Sequence, residues 1–183
     1  MNQSRFESLR TTTNGRNPEH TPTPLYTKEQ RRRRDASTWT LVQGILAPLQ
    51  FAVFIISLYL VWRFLASGEG YLAATLSIII KTLVLYTIMI TGSLWEKDVF
   101  GKYLFAGPFY WEDIVSSLVM VLHTAYVLVV VFGWLNATEQ MVLALVAYTA
   151  YVINAAQYLI KFRRARLQPS PSMTPDNSLG ATP

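Results

Sequence analysis

Residues 111–132, WEDIVSSLVMVLHTAYVLVVVF, open with two adjacent carboxylates and then run apolar around a single histidine. On a helix, residues eleven apart return to within roughly 20° of the same face, about 16 Å further along. One face therefore carries four polar side chains, Glu112, Ser116, His123 and Tyr126. Because such groups are costly inside a membrane, a membrane-spanning helix with this face favours a functional role.

A structural interpretation of the same stretch stands beside the functional one. Glu112 and Asp113 can cap the helix N terminus, where free N–H groups favour carboxylates. His123 can serve as a hydrogen-bonding link between neighbouring helices. Helix geometry alone leaves both interpretations open.

Composition places the chain among membrane proteins. Of its 183 residues, 51% are hydrophobic and only 15% are charged. Four stretches, at residues 36–62, 70–95, 114–138 and 140–160, carry one charge between them. Each is long enough for the roughly 20 residues that a spanning helix needs. We therefore predict an all-α integral membrane protein with four transmembrane helices.

Basic residues predict the orientation. Eight of the sixteen Lys and Arg residues precede residue 36, four lie at 161–166, and Lys97 and Lys102 lie in the middle connection. The positive-inside rule then places both termini in the cytoplasm. Topology accounts for the net charge of +5, so we expect no nucleic-acid partner. The arginines at 31–34 either anchor this topology or bind anionic headgroups of membrane lipid.

The chain divides into four predicted parts. Residues 1–24 and 167–183 form disordered tails by composition. Residues 25–37 form a basic segment at the membrane surface, with a capping box from Thr27 to Gln30. Residues 38–166 form the four-helix domain. Its helices are predicted at about 38–66, 71–95, 111–132 and 139–162.

Two further features of the four-helix domain are candidates for a functional role. Lys81 lies near the midpoint of the second helix, where it either reaches an interface, faces the bundle interior with an acidic or aromatic partner, or loses its proton; we favour an inward-facing lysine. The connection at 96–111, EKDVFGKYLFAGPFYW, combines charges with aromatic rings. Gly101, Gly107 and Pro108 predict turns there, and its apolar surface predicts that it folds over the mouth of the bundle.

Several kinds of site are excluded by the residues. The chain has no cysteine, no phosphate-binding glycine loop and no pair of histidines at metal-binding spacing, so we predict no metal held by the protein. Acid–base chemistry by carboxylates, an imidazole and tyrosines remains. It suits a large planar apolar substrate that needs only proton and water movement.

Long stretches of the chain resemble the 3-vinyl (bacterio)chlorophyllide hydratases of bacteriochlorophyll synthesis. They are LYTKEQRRRRDASTWTLVQGILAPLQF (25–51), KTLVLYTIMITGSLWEKDVFGKYLF (81–105), FYWEDIVSSLVMVLHTAYV (109–127) and AYVINAAQYLIK (150–161). The resemblance implies a hydro-lyase of the bacterial inner (cytoplasmic or intracytoplasmic) membrane. It implies water addition to the C3 vinyl group of chlorophyllide a, giving a 1-hydroxyethyl group. No redox cofactor is implied, since the substrate carries its own magnesium, and other enzymes of the pathway are candidate partners.

Residue roles follow from the sequence and not from the resemblance. Glu112 is the first candidate for the general acid, with Asp113 or Glu96 beside it. His123 either ligates the substrate's magnesium or polarises the attacking water, and both roles stay open. Candidate substrate-binding residues lie on the inner helix faces or beside the substrate's propionate: Lys81, Tyr126, Tyr151, Asn154, Lys97 and Lys102. The arginines are the alternative partners of that propionate. We predict the active site between the second, third and fourth helices in the cytoplasmic half, roofed by residues 96–111.

A non-catalytic function is the alternative. A pigment-binding or assembly subunit could hold a chlorophyll through His123, although this needs no charged aromatic connection. A small transporter has less support, because the helices lack the broken segments and paired repeats of that class.

Overall fold

The computed structural model describes residues 25–167, and their regular structure is helical throughout. The predicted disorder of residues 1–24 and of the C-terminal tail beyond residue 167 falls outside this range. The elements in chain order are α1 (Lys28–Ala36), α2 (Thr38–Ser67), α3 (Tyr71–Phe100), a 3-10 turn (Gly107–Phe109), α4 (Tyr110–Phe132) and α5 (Ala137–Leu167). The predicted capping box of α1 is confirmed: Thr27 accepts from the Gln30 N–H and the Gln30 side chain accepts from the Thr27 N–H.

Helices α2 to α5 form an up-and-down bundle in which each helix packs against two neighbours. All four are long and apolar enough to cross a membrane, which confirms the predicted count for the described residues. The end of the bundle where α1, the 101–109 connection and the last turns of α5 meet is called the basic end below. There Ser37, between α1 and α2, donates a hydrogen bond to Asp98 of α3 at 2.8 Å.

Polarity in the bundle is reversed relative to a water-soluble protein. Large apolar side chains such as Leu41, Trp62, Val121 and Leu159 are mostly exposed on the outer faces. Polar and ionisable side chains occupy the interior: Gln50, Lys81, Glu96, Asp113, Ser116, His123 and Asn154. Lipid tails would cover the outer faces, whereas the inner groups must find partners within the protein. The bundle is therefore built to hold polar chemistry away from lipid.

The structure corrects the predicted boundary after the second transmembrane helix. We predicted that it ends near Trp95 and that Glu96 begins a loop, but α3 continues to Phe100 and ends at Gly101. Gly101 adopts a φ of 79°, the left-handed conformation that commonly ends a helix. The irregular part of the connection is therefore only residues 101–106, followed by the 3-10 turn. Glu96 points inward from a helix and not from a flexible loop.

The connection covers the basic end in part, as predicted. Phe109 is fully buried between Trp95 and Tyr158, with ring centroids 5.6 and 6.0 Å away. Ala106 is also buried, whereas the rings of Phe105 and Tyr110 remain half-exposed. The connection thus packs Ala106 and Phe109 into this end of the bundle and leaves the rings of Phe105 and Tyr110 at an exposed aromatic edge.

Candidate active site

Two buried carboxyl groups meet at the basic end. Glu96 comes from the last turns of α3 and Asp113 from the first turn of α4, and their side chains contact each other. The Phe105 N–H donates to Asp113 Oδ2 at 2.7 Å, and the next N–H, of Ala106, donates to Glu96 Oε2 at 3.3 Å. Since two carboxyl oxygens can share a hydrogen bond only through a proton, this pair is suited to hold one proton between two acids.

The backbone that binds the pair is held in an unusual conformation. Phe105 has a φ of 58°, the single positive value outside glycine in the described chain. A bulky residue disfavours this region, and such strain tends to occur where the surrounding structure needs a particular backbone direction. Here the turn aims two consecutive N–H groups at Glu96 and Asp113. The sequence offered no signal for it, because the amides belong to Phe and Ala and not to a glycine.

Helix α5 completes the site from the third side. The Tyr158 hydroxyl donates to Asp113 Oδ1 at 3.3 Å, and Asn154 Nδ2 donates to Ser116 Oγ at 2.8 Å. The Asn154 Oδ1 atom is buried without a protein partner. Asn154 and Tyr158 of α5 thus contact α4, whereas the Tyr151 ring lies against Lys81 of α3 and Phe54 of α2. Tyr158 belongs to the site although we did not include it among the candidate site residues.

A second buried pair lies near the middle of the bundle. Lys81 of α3 and His123 of α4 are both fully buried, and Lys81 Nζ lies 3.0 Å from His123 Nε2. His123 Nδ1 lies 2.8 Å from the Val119 carbonyl oxygen, so Nδ1 donates there and Nε2 accepts from the ammonium. Tyr151 places its ring 4.0 Å below the ammonium. The inward, paired lysine that we favoured is observed.

This arrangement bears on the two roles left open for His123. Both of its ring nitrogens have protein partners, so neither faces an empty position beside a macrocycle. Tyr126, predicted on the same face, is fully buried one turn further on. Both residues thus lie in the closed middle of the bundle, away from the carboxyl pair.

Glu112 lies outside the carboxyl pair. Its Oε2 atom forms an ion pair with Lys161 Nζ of α5 at 2.5 Å, and its side chain is 12% exposed. Although it adjoins Asp113 in sequence, its carboxylate is committed to a cation at the surface of the basic end. The helical-face argument placed Glu112 with Ser116 and His123, but in the structure Asp113 is the carboxyl that accompanies them inside.

The two lysines predicted to meet the substrate's propionate are both exposed. Lys97 contacts the Tyr103 hydroxyl, with its Nζ 4.1 Å from the ring centroid, and Lys102 lies in the turn that follows α3. Lys97 is therefore directed toward Tyr103 and not toward the carboxyl pair. Across residues 25–167 no group of three or more His, Asp or Glu side chains is placed to hold a metal ion.

Comparison with known proteins decides the family. The profile of the 2-vinyl bacteriochlorophyllide hydratases matches residues 26–164, which is most of the chain. The chain belongs to this family. It is 62% identical over 144 residues to the 2-vinyl bacteriochlorophyllide hydratase of Rhodobacter capsulatus, covering 79% of this chain and 84% of that one. It is 64% identical over 143 residues to the hydratase of that name from Cereibacter sphaeroides, covering 78% and 89%. No solved structure matches the chain.

The resemblance inferred from the quoted stretches is thereby confirmed. The matched region of the hydratase profile includes α1 to α5 and contains both buried pairs. It also contains Phe105, Ala106, Tyr158 and Lys161, whose parts in the site the sequence did not reveal.

Proposed function

We propose that this protein hydrates the vinyl group of a (bacterio)chlorophyllide with Glu96 and Asp113 as its acid–base pair. Membership of the family makes the chain a hydro-lyase that acts on a vinyl group in bacteriochlorophyll synthesis. One observation carries the assignment of residues: two buried carboxyl groups in contact, each bound by one of two consecutive backbone N–H groups. Hydration needs an acid and a base together, and this pair supplies both.

The pair can complete the reaction and return to its starting state. Its protonated member gives a proton to the terminal vinyl carbon, and the conjugated macrocycle spreads the positive charge that develops on the inner carbon. Water attacks the inner carbon while the ionised member takes a proton from that water. One carbon–carbon π bond is lost, one C–H and one C–O bond form, and the pair again holds one proton. No electrons are transferred overall, so the proposal includes no cofactor held by the protein; the magnesium belongs to the substrate.

The exposed aromatic edge of the connection provides a surface for the macrocycle. Phe105 and Tyr110 have ring centroids 5.8 Å apart, and Tyr110 and Trp111 5.7 Å apart. Trp111 is 70% exposed, and all three rings adjoin the backbone that covers the carboxyl pair. A planar ring system stacked here would place one edge beside residues 105–106. The vinyl group reaches the acids when this short segment moves aside.

The middle pair has a different role in this proposal. Lys81, His123 and Tyr151 join α3, α4 and α5 around one buried cation. We assign them to positioning α3 and α4, which carry the acids, against α5, with His123 as a neutral acceptor for Lys81 Nζ. Ligation of the substrate's magnesium by His123 would require Lys81 to leave Nε2.

The orientation and location of the enzyme belong to the proposal as well. The excess of basic residues at the basic end supports a cytoplasmic position for the carboxyl pair, in the bacterial inner membrane. The chain lacks cysteine, so single cysteines report the topology directly. An impermeant thiol reagent applied to intact cells should label Glu69→Cys, between α2 and α3, and should leave Tyr103→Cys unlabelled. The opposite pattern would reverse the orientation.

Activity is tested by supplying vinyl chlorophyllide to the purified protein in lipid nanodiscs and extracting the pigment. We expect loss of the vinyl absorption signature and a mass gain of one water. In ¹⁸O-water the new hydroxyl should carry the label, and in D₂O the new methyl group should gain one deuterium. A spectral change that vanishes on extraction, with unaltered pigment recovered, would indicate a pigment-binding subunit and contradict the proposal.

A further inference from the structure

A pocket lies on the surface of the basic end, beside the carboxyl pair but separate from it. Its volume is about 390 Å³. Four polar or charged residues and three aliphatic ones line it: Glu112, Gln157, Lys161, Arg164, Leu25, Ile160 and Ala165. None of the steps assigned to Glu96 and Asp113 uses these residues. The pocket therefore needs an explanation of its own.

Charge in the pocket is unbalanced by one. Lys161 and Arg164 contribute two positive charges, and the carboxylate of Glu112 neutralises one through its ion pair with Lys161. Arg164 takes part in none of the ion pairs found among residues 25–167. Guanidinium groups bind carboxylates in a two-pronged geometry that adds selectivity to affinity. The pocket is thus one carboxylate short of neutrality.

An amide supplies a second polar wall. The Gln157 Oε1 atom is buried and has no hydrogen-bond partner in the described chain. Half a turn about the last side-chain bond exchanges its oxygen for its NH₂ group, so the same amide can donate to an incoming carboxylate. A buried amide atom left without a partner in the free protein is what a site for a hydrogen-bonding ligand would show.

Position links the pocket to the reaction. Gln157 precedes Tyr158, which donates to Asp113, and Lys161 lies about 5 Å further along the same helix. Lys161 Nζ also lies 4.8 Å from the Phe109 ring centroid, and Phe109 stacks on Tyr158. A molecule with its vinyl group at the carboxyl pair could therefore extend a flexible acidic arm into the pocket.

We infer that this pocket binds the free propionate of the chlorophyllide and so selects the free acid over esterified pigments. The inference rests on the proposed function and adds the residues that recognise the substrate's acid. Among the predicted partners of that carboxylate it favours an arginine, Arg164, over the exposed Lys97 and Lys102. A charge-assisted hydrogen bond of this kind is expected to change binding by about tenfold or more.

The test compares vinyl chlorophyllide with its methyl ester in nanodiscs of zwitterionic lipid. For the unmodified protein, kcat/KM should favour the acid by about tenfold or more. Arg164→Gln should bring the two substrates close together by raising KM for the acid. Glu112→Gln, which frees Lys161, should act in the opposite direction and lower that KM. Arg163→Gln is the matched control, because Arg163 is exposed, adjoins Arg164 and does not line the pocket.

Each contrary result has a distinct meaning. Equal kcat/KM for acid and ester, with both hydrated, would overturn the pocket assignment and leave the proposed function intact. Equal shifts in Arg163→Gln and Arg164→Gln would overturn it in favour of general surface charge. If activity on acid and ester alike requires anionic lipid, and Arg164→Gln removes that requirement, the pocket holds a lipid phosphate instead. If neither the acid nor the ester is hydrated, the proposed function itself is contradicted.

Discussion

The two buried ionisable pairs differ in how completely the protein satisfies them. Lys81 and His123 lie fully enclosed at mid-bundle, and both histidine nitrogens have partners. Glu96 and Asp113 lie under a six-residue connection whose strained backbone at Phe105 supplies their N–H donors. The middle pair joins two helices at their centres, whereas the end pair lies beneath a short irregular connection between α3 and the 3-10 turn. Burial of an ionisable group alone therefore does not identify a reactive site, because the substrate must also be able to approach that group.

Removing the acids should have the largest effect. Asp113→Asn and Glu96→Gln keep size and hydrogen-bonding shape but remove the shared proton, so turnover should fall by about 10²-fold or more. Asp98→Asn is the control, since this exposed carboxyl lies in the last turn of α3 and outside the pair. The rate of product formation at saturating substrate measures the turnover of each variant. Near-normal rates in both variants, at equal protein levels, would move the chemistry elsewhere.

Disrupting the middle pair should affect stability before catalysis. His123→Ala leaves the Lys81 ammonium buried without its acceptor, which should lower the free energy of unfolding by about 2–3 kcal/mol. The double change Lys81→Met with His123→Leu removes both polar groups and should restore most of the loss. Thermal unfolding in detergent measures the stability. If folded His123→Ala lost activity as severely as Asp113→Asn, His123 would belong to the reaction and the contrast between the pairs would fail.

Tyr158 should have an intermediate effect. Its hydroxyl donates to Asp113 Oδ1, so Tyr158→Phe removes a donor that orients one acid without removing the acid. Turnover should fall by about tenfold, with KM for the substrate little changed. Tyr86→Phe is a suitable control, because its hydroxyl bonds Thr124 at 2.6 Å and not the carboxyl pair. A tenfold rise in KM with unchanged turnover would instead assign Tyr158 to substrate contact.

The aromatic edge should show the smallest effect, on binding alone. Phe105→Asn keeps a residue that tolerates positive φ but removes the half-exposed ring. We expect KM to rise by about threefold to tenfold while thermal stability stays equal or improves slightly. Phe132→Asn removes a ring that is 59% exposed, against 43% for Phe105, at the opposite end of the bundle, and it should leave KM unchanged. An unchanged KM in Phe105→Asn would remove this surface from the binding site.

The four-helix bundle could be predicted from the sequence because the length of each apolar stretch and the basic residues beside it depend on local composition. The inward orientation of Lys81 could be predicted as well, because a lysine at the middle of a membrane-spanning helix has few alternatives to a partner inside the bundle. From the sequence we put Glu112 ahead of Asp113, whereas the structure buries Asp113 and pairs Glu112 with Lys161. Adjacent residues differ by 100° around a helix, and the angle of α4 is set by packing. The catalytic role of either carboxyl stays a prediction. We missed Phe105, Ala106 and Lys161 because backbone donors and ion pairs between helices depend on tertiary contacts that have no local signature.

The most direct test of the account is a double-mutant cycle on the carboxyl pair. It compares kcat/KM for the unmodified protein, Glu96→Gln, Asp113→Asn and the double variant, at matched levels of folded protein. If the two acids act as one unit on a shared proton, the double variant should be no slower than the slower single variant. Losses that multiply, so that the double variant is slower by the product of the two single effects, would show that the carboxyl groups act independently and contradict the shared-proton mechanism.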